Sequence, residues 1–419
     1  MKQTLYLISI FILTTSFNPK SWGFFGHKRI NRLAVFTLPQ EMLPLFKTEI
    51  EYLTEHAVDP DRRRFVVPTE GIRHYINLDK WAFLPQEKVD AQILHTDIFV
   101  VGEKRDTSLL VDFQTIRKQK RDYYLKSKSI KKIFGRDSIV VTDSSFRRFF
   151  FNNLSKIQPD EPLSISPDSL LSFFKKEKLR PLSTAENGGI KAVFAKDKLS
   201  QHGILPYHLQ TIYRQLVQAF VSKNKNLILK YAAELGHYLA DAHIPLHTIS
   251  NYDGQYSNQN GIHAFWESRL PELFADNQYD FFVGKAGYIE QPRSYFWNII
   301  NQSNRLSANT LRIEKEVSAQ FEVDKKYCPE MVNGFEVQKQ CFDFAKAYHD
   351  RLGGMVEEQM RRAILAVGSV WYSAWVDAGQ PDLSNLKNTP LSKEEEKEQK
   401  EADEKIKNGG KILGRTEAY

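Results

Sequence analysis

A mainly all-α, multi-helix domain carrying a less regular insertion is the fold class that this sequence predicts, on two observations. Apolar residues recur every three to four positions over several long stretches. Extended alternation is short and confined to one region, residues 85–200.

In chain order, Lys2 followed by the apolar run Leu5 to Thr15 reads as a signal peptide over residues 1–21, cut after the small Ser21. The run is too short to cross a bilayer, and no later stretch reaches the ~20 apolar residues of a spanning helix. The expectation is a secreted or periplasmic mature chain with no stable transmembrane anchor. Ile30, Leu33, Ala34 and Leu38 share one helical face, as do Leu209, Ile212, Leu216 and Phe220, and Met360, Ile364, Val367 and Trp371. Residues 228–243 also read as a helix, with Leu235 and Leu239 four apart. Inside the insertion, Asp97–Val101 and Ser138–Val141 predict short strands. Arg147-Arg148-Phe149-Phe150-Phe151 reads as half-buried packing with a solvated basic edge, with a lipid or nucleic-acid contact as the alternative. The main domain then runs over residues 22–385. Residues 386–419, with Lys-Glu-Glu-Glu-Lys-Glu-Gln-Lys and few large apolar groups, predict a charged tail that is disordered or a solvated helix.

A net charge of +7 on 419 residues permits an anionic partner without demanding nucleic acid. Cys328 and Cys341 are the two cysteines. In an oxidising compartment they can pair, closing a short loop for about 3 kcal/mol in the chain-entropy account, or they can stay free. Without a second cysteine pair, a cysteine zinc site is not supported.

Four of the eleven histidines fall between His237 and His263. On a helix, His237 and Asp241 project from one face, and an imidazole and a carboxylate at that spacing can grip one zinc ion. Pro245 ends the helix and lets His247 turn back toward the same place. His263 and Glu267, again four apart, repeat the two-toothed geometry. The turn-rich loop from Asn251 to Gly261 joins the two. One His–carboxylate pair is more often a surface ion pair. Two pairs and an intervening His within about thirty residues would leave unpaired polar groups if buried without a metal.

These residues, together with three elements upstream, resemble the zinc-dependent phospholipases C and the three-zinc single-strand nucleases. The upstream elements are Trp22-Gly-Phe-Phe-Gly-His27 directly after the expected cleavage point, Asp59-Pro60-Asp61-Arg62, and His74-Tyr75-Ile76-Asn77. The resemblance covers residues 22–84 and about 203–272, and carries nothing onto the long segment between. It implies a mostly helical fold and three zinc ions. Asp59, His74, His237 and Asp241 would hold the first, and His247, His263 and Glu267 the second. The free amine and carbonyl of Trp22, with His27 and a bridging Asp241, would hold the third. Asp59 would be a ligand or a general base, and Asp61 could take its place. His243 is left at most behind the ligands, and His56, His95, His202, His208 and His349 have no metal role.

The resemblance further implies a zinc-dependent hydrolase that cleaves phosphodiesters by in-line attack of a zinc-bound hydroxide, with Asp59 orienting or deprotonating the water. The substrate would be a phospholipid or a single-stranded nucleic acid. Glu267 as last ligand favours the phospholipase C type, and the tight Trp22 to His27 spacing the nuclease. A third reading is a zinc-stabilised binding protein without turnover, but a purely structural site usually closes around one ion.

Overall fold

The computed structural model describes residues 24–413 except 103–106, 112–116, 120–121, 126–130, 132–135, 155–156, 158–160, 180–189, 333–334 and 388–392. The expected signal peptide, residues 1–21, and Trp22 lie outside the described residues. The chain is mainly helical, and strands occur in the insertion and in one later hairpin.

Helix α1 (Phe24–Ala34) buries His27, Ile30, Asn31 and Ala34, and a 3-10 turn, Val35–Thr37, carries Leu38 into the same core. Then come α2 (Leu43–Thr48), α3 (Ile50–Glu55) and, after the turn His56–Val58, the short α4 (Asp59–Arg63).

The insertion contributes α5 (Lys88–Leu94), β1 (Thr96–Gly102), β2 (Thr107–Val111), β3 (Arg117–Gln119), β4 (Asp122–Leu125), β5 (Ile139–Thr142), α6 (Asp143–Asn153), β6 (Leu163–Ile165), α7 (Pro167–Lys176) and β7 (Ile190–Asp197). Both expected strands are present, as β1 and β5. The described part is more regular than its composition suggests. One antiparallel sheet has the order β2-β1-β7-β6 and a second the order β3-β4-β5. Most of these strands are too short to show alternation. Ile98, Val100, Val141, Phe146, Phe150, Phe174 and Val193 form a core separate from that of the helices. Phe149 and Phe150 are buried while Arg148 and Phe151 face solvent, which is the packing reading of that basic-aromatic cluster. Leu199, Ile204, Tyr207 and Trp297 join the insertion to the helices, and the Tyr207 hydroxyl donates to the Pro85 carbonyl at 2.7 Å.

Two long helices follow, α8 (Leu205–Val221) and α9 (Lys225–Ala242), and both agree with the apolar spacing. Every residue of α9 from Ala232 to Ala242 is buried. An all-round buried helix should be apolar throughout, yet this one carries Glu234, His237 and Asp241. Its neighbours include α1, α3, α4, α8 and α13 (the last defined below). A helical turn, Ile262–Ala264, continues through a π turn, Phe265–Arg269, into α10 (Leu270–Gln278). Then come α11 (Pro292–Ser318), the hairpin β8 (Tyr327–Val332) and β9 (Phe335–Gln340), α12 (Phe342–Leu352) and α13 (Met355–Asp377). Cys328 and Cys341 are bridged, with Cα atoms 5.0 Å apart. Among the described residues no helix is long and apolar enough to cross a membrane.

The tail forms a helix, α14 (Lys393–Lys407), that is solvent-exposed over most of its described residues and docked along one side. Ala402 is buried, Lys405 donates to the Phe65 carbonyl at 3.2 Å, and the Leu413 amide donates to the Arg64 carbonyl at 2.8 Å. Glu398 reaches Arg63 at 3.9 Å. Its attachment uses main-chain and charged groups against α4, so no apolar stripe announces it.

Two close approaches fix α1. Asn31 is fully buried and donates to the carbonyls of Leu53, at 3.2 Å, and Ala233, at 3.0 Å. A Cβ on Gly236 would stand 2.0 Å from Asn31 Oδ1, and one on Gly368 would stand 1.9 Å from Thr37 Oγ1. Gly236→Ala should therefore destabilise the protein by about 1–3 kcal/mol, since a buried hydrogen-bonded side chain has to move. Urea unfolding of the metal-depleted protein checks this, and a change below about 0.5 kcal/mol would contradict it.

Candidate metal centre

The centre is built on the enclosed end of α9. His237 Nε2 lies 3.3 Å from Asp241 Oδ2, one helical turn on. His74, at the end of the 3-10 turn Gly71–Arg73, brings its Nδ1 to 3.0 Å from both Asp241 Oδ2 and His237 Nε2. The Ala57 carbonyl accepts from His237 Nδ1 at 2.9 Å, which leaves Nε2 for the centre.

Pro245 opens a 3-10 turn, Pro245–Thr248, and His247 folds back from it as the sequence implies. Its Nδ1 meets the His74 carbonyl at 2.6 Å, and the Ile76 amide donates to the His247 carbonyl at 2.9 Å. This exchange locks two ligand-bearing segments together. His247 Nε2 lies 2.8 Å from His263 Nε2 and 3.4 Å from Glu267 Oε2, and His263 Nε2 lies 2.8 Å from the same Glu267 oxygen. Glu267 sits in the π turn, a helical irregularity that often accompanies functional sites. Sequence reasoning overlooked Asp253. Its buried carboxylate accepts from the Gly261 amide at 3.0 Å and the His263 amide at 3.4 Å, setting the start of the His263 turn. The Asp-Gly step within the loop was the available sign.

His27 comes from α1, with Nε2 at 3.5 Å from both Asp241 Oδ1 and Glu267 Oε1. Asp241 and Glu267 thus each face two groups of histidines. Among the described residues four overlapping sets of donor atoms result, each closed to within 4.8 Å: His27, Asp61 and His237; His74, His237 and Asp241; His247, His263 and Glu267; His27, Asp241 and Glu267. Seven expected residues converge here: His27, His74, His237, Asp241, His247, His263 and Glu267. Trp22, the expected eighth contributor, lies outside the described residues.

Asp59 stands apart from these sets. Its carboxylate meets His56 Nδ1 at 2.6 Å and Arg62 at 3.4 Å. Asp61 occupies the place expected for it, with Oδ1 at 3.8 Å from His74 Nδ1 and 3.9 Å from His237 Nε2. The reason is geometric: residues two apart on a helix point about 200° away from each other, so only one of the pair can face α9.

Burial disfavours charge throughout the cluster, and the opposite charges overcome it at most positions. His27 is pushed up to about 9 by the Glu267, Asp241 and Asp61 carboxylates, against burial. His74 is pushed up to about 9 by Asp241, Glu70 and Asp61, again against burial. Burial and the neighbouring His27 lower His237. Asp241 and Glu267 are held well below the usual carboxylate range by facing histidines, although burial opposes this. The carboxylates are thus held ionised, the form in which they bind a cation, whereas His27 and His74 favour the protonated form here and would each release a proton on binding one.

Fold and donor set together define a mainly helical protein with a buried histidine–carboxylate centre able to hold metal ions. No family model matches the chain, and no curated protein or solved structure matches it.

The two aspartates of α4 can be separated by experiment. Asp61→Asn should weaken metal binding by more than about 10-fold, and Asp59→Asn should leave it within about 2-fold, because one removes a donor and the other only the partner of His56 and Arg62. Titration of both metal-depleted variants with zinc against a chromophoric chelator measures this, and the reverse order would restore Asp59 as the donor.

Proposed function

We propose that the protein is a zinc-dependent hydrolase of phosphodiester bonds, of phospholipase C-like type, acting as a secreted or periplasmic enzyme. The observation that carries this reading is the sharing of donors. Asp241, Glu267, His27 and His237 each belong to two of the four sets. A site that only stabilises a fold normally closes around one ion with private ligands. Shared carboxylates suit ions close enough to act on a single phosphate.

The residues fit zinc by their chemistry. Two pairs of imidazole nitrogens converge, His74 with His237 at 3.0 Å and His247 with His263 at 2.8 Å, each beside a carboxylate. Nitrogen with carboxylate oxygen and no sulfur is a usual zinc set. His74, His237, Asp241 and Asp61 would hold one ion, and His247, His263 and Glu267 a second. His27 with Asp241 and Glu267 would take part in a third, which the Trp22 amine and carbonyl would complete. Bound zinc would supply Lewis acidity and a water acidified toward neutral pH.

The chain's own groups then divide the work. Asp241, almost fully enclosed, keeps the donor sets in register. Asp61, whose side chain retains 16% exposure, stands at the solvent edge of the first donor set. An apolar cavity adjoins the centre, with Ile30, Trp266, Pro271, Val356 and Met360 around it and His27 and Glu267 on its wall. Its mostly apolar lining favours the phospholipase reading over the nuclease one. The disulfide agrees with an oxidising compartment.

Parallel assays on phosphatidylcholine and on single-stranded DNA and RNA, with and without chelator, test the substrate. The expected outcome is chelator-sensitive release of the phosphorylated headgroup, and turnover of nucleic acid alone would favour the nuclease. Asp241→Asn should lower turnover at least about 100-fold, because it disturbs two donor sets at once. Full activity in that variant would contradict the mechanism.

A further inference from the structure

Glu70 belongs to none of the donor sets, yet it is fully buried and four residues before His74. Its Oε2 accepts from Arg73 Nη1 at 2.7 Å and from Arg63 Nε at 3.2 Å. Its Oε1 accepts from the Tyr238 hydroxyl and faces His74 Nε2 at 3.6 Å. Arg63 donates onward to Glu234 Oε1 at 2.5 Å and to the Tyr238 oxygen at 3.2 Å. Two guanidinium groups and two carboxylates are thus balanced directly behind the centre, which is the condition for burying them.

The ligand histidines do not use their nitrogens alike. His237 and His247 each turn Nδ1 to a main-chain carbonyl and Nε2 to the centre. His74 is reversed: Nδ1 faces Asp241 and His237, and the buried Nε2 has no hydrogen-bond partner. Glu70 is the carboxylate that this nitrogen confronts. A carboxylate behind a metal-binding imidazole fixes its tautomer, holds the ring in place and raises its basicity. An ion pair serving the fold alone would not need this alignment, since Arg63 already has Glu234.

We infer that Glu70 is the positioning residue of His74: its carboxylate faces Nε2 at 3.6 Å and favours the proton there electrostatically, which leaves the Nδ1 lone pair for the ion, and is itself held by Arg63, Arg73 and Tyr238. The inference rests on the metal reading of the centre. It explains why a full negative charge is retained where no solvent reaches it, at a residue outside the donor sets.

The test uses full-length, zinc-depleted protein, titrated with zinc against a chromophoric chelator, and the absorption bands of the cobalt-loaded form. Glu70→Gln is expected to weaken one metal equivalent about 10- to 100-fold, leave the others in place and shift the cobalt bands. Should the variant fold poorly, Tyr238→Phe removes one donor from Oε1 and should weaken the same equivalent about 5-fold. A purely structural Glu70 would lower the melting temperature of the metal-free protein and leave zinc affinity unchanged, and that result overturns the inference. Wild-type protein that binds no zinc would refute the metal reading itself, whereas zinc-binding wild type matched by Glu70→Gln and Tyr238→Phe refutes only the part given to Glu70.

Discussion

Everything in this molecule is arranged around the enclosure of one helix end that carries ionisable groups. From Ala232 to Ala242, α9 has no solvent-exposed face, yet Glu234, His237 and Asp241 lie within it. Each such charge would cost several kcal/mol if left alone. The neighbouring elements therefore bring a counter-charge or a polar partner: Arg63 from α4 for Glu234, the Ala57 carbonyl for His237, and the histidines of three other segments for Asp241. The Asn31 side chain and the missing Cβ of Gly236 let α1 come close enough to add His27. Packing and chemistry are thus one problem here, solved with the same residues.

This arrangement places two layers of polar groups on the same helix. The inner layer consists of histidines and carboxylates facing one another. The layer behind it is the Arg63, Glu70, Arg73 and Tyr238 network, and α14 touches that network through Glu398. A tail that reads as solvated from its composition is consequently connected, through one arginine, to the back of the centre. The hairpin disulfide and the insertion core stabilise regions further out, and the insertion keeps its own apolar interior.

Much of the fold and most of the centre could be read from the amino-acid order. The four-residue spacing of His237 with Asp241 and of His263 with Glu267 is a direct imprint of helical geometry. Pro245 announces the return of His247. What could not be read depends on orientation or on distant partners. Asp59 and Asp61 differ only in which side of a five-residue helix meets α9, and no periodicity decides that over so short a span. Glu70 acquires its meaning from Arg63 and Tyr238, the latter 168 positions away. Asp253 acts on backbone amides across a loop. The tail docks through main-chain carbonyls, which composition does not report.

The central claim is that these converging donors form a single centre for several ions rather than a charged core. Metal content of the purified mature protein, measured by elemental analysis after removal of loosely bound ions, tests it most directly. The account predicts three zinc ions per chain. A protein that is folded, carries the disulfide and retains none or only one would contradict it.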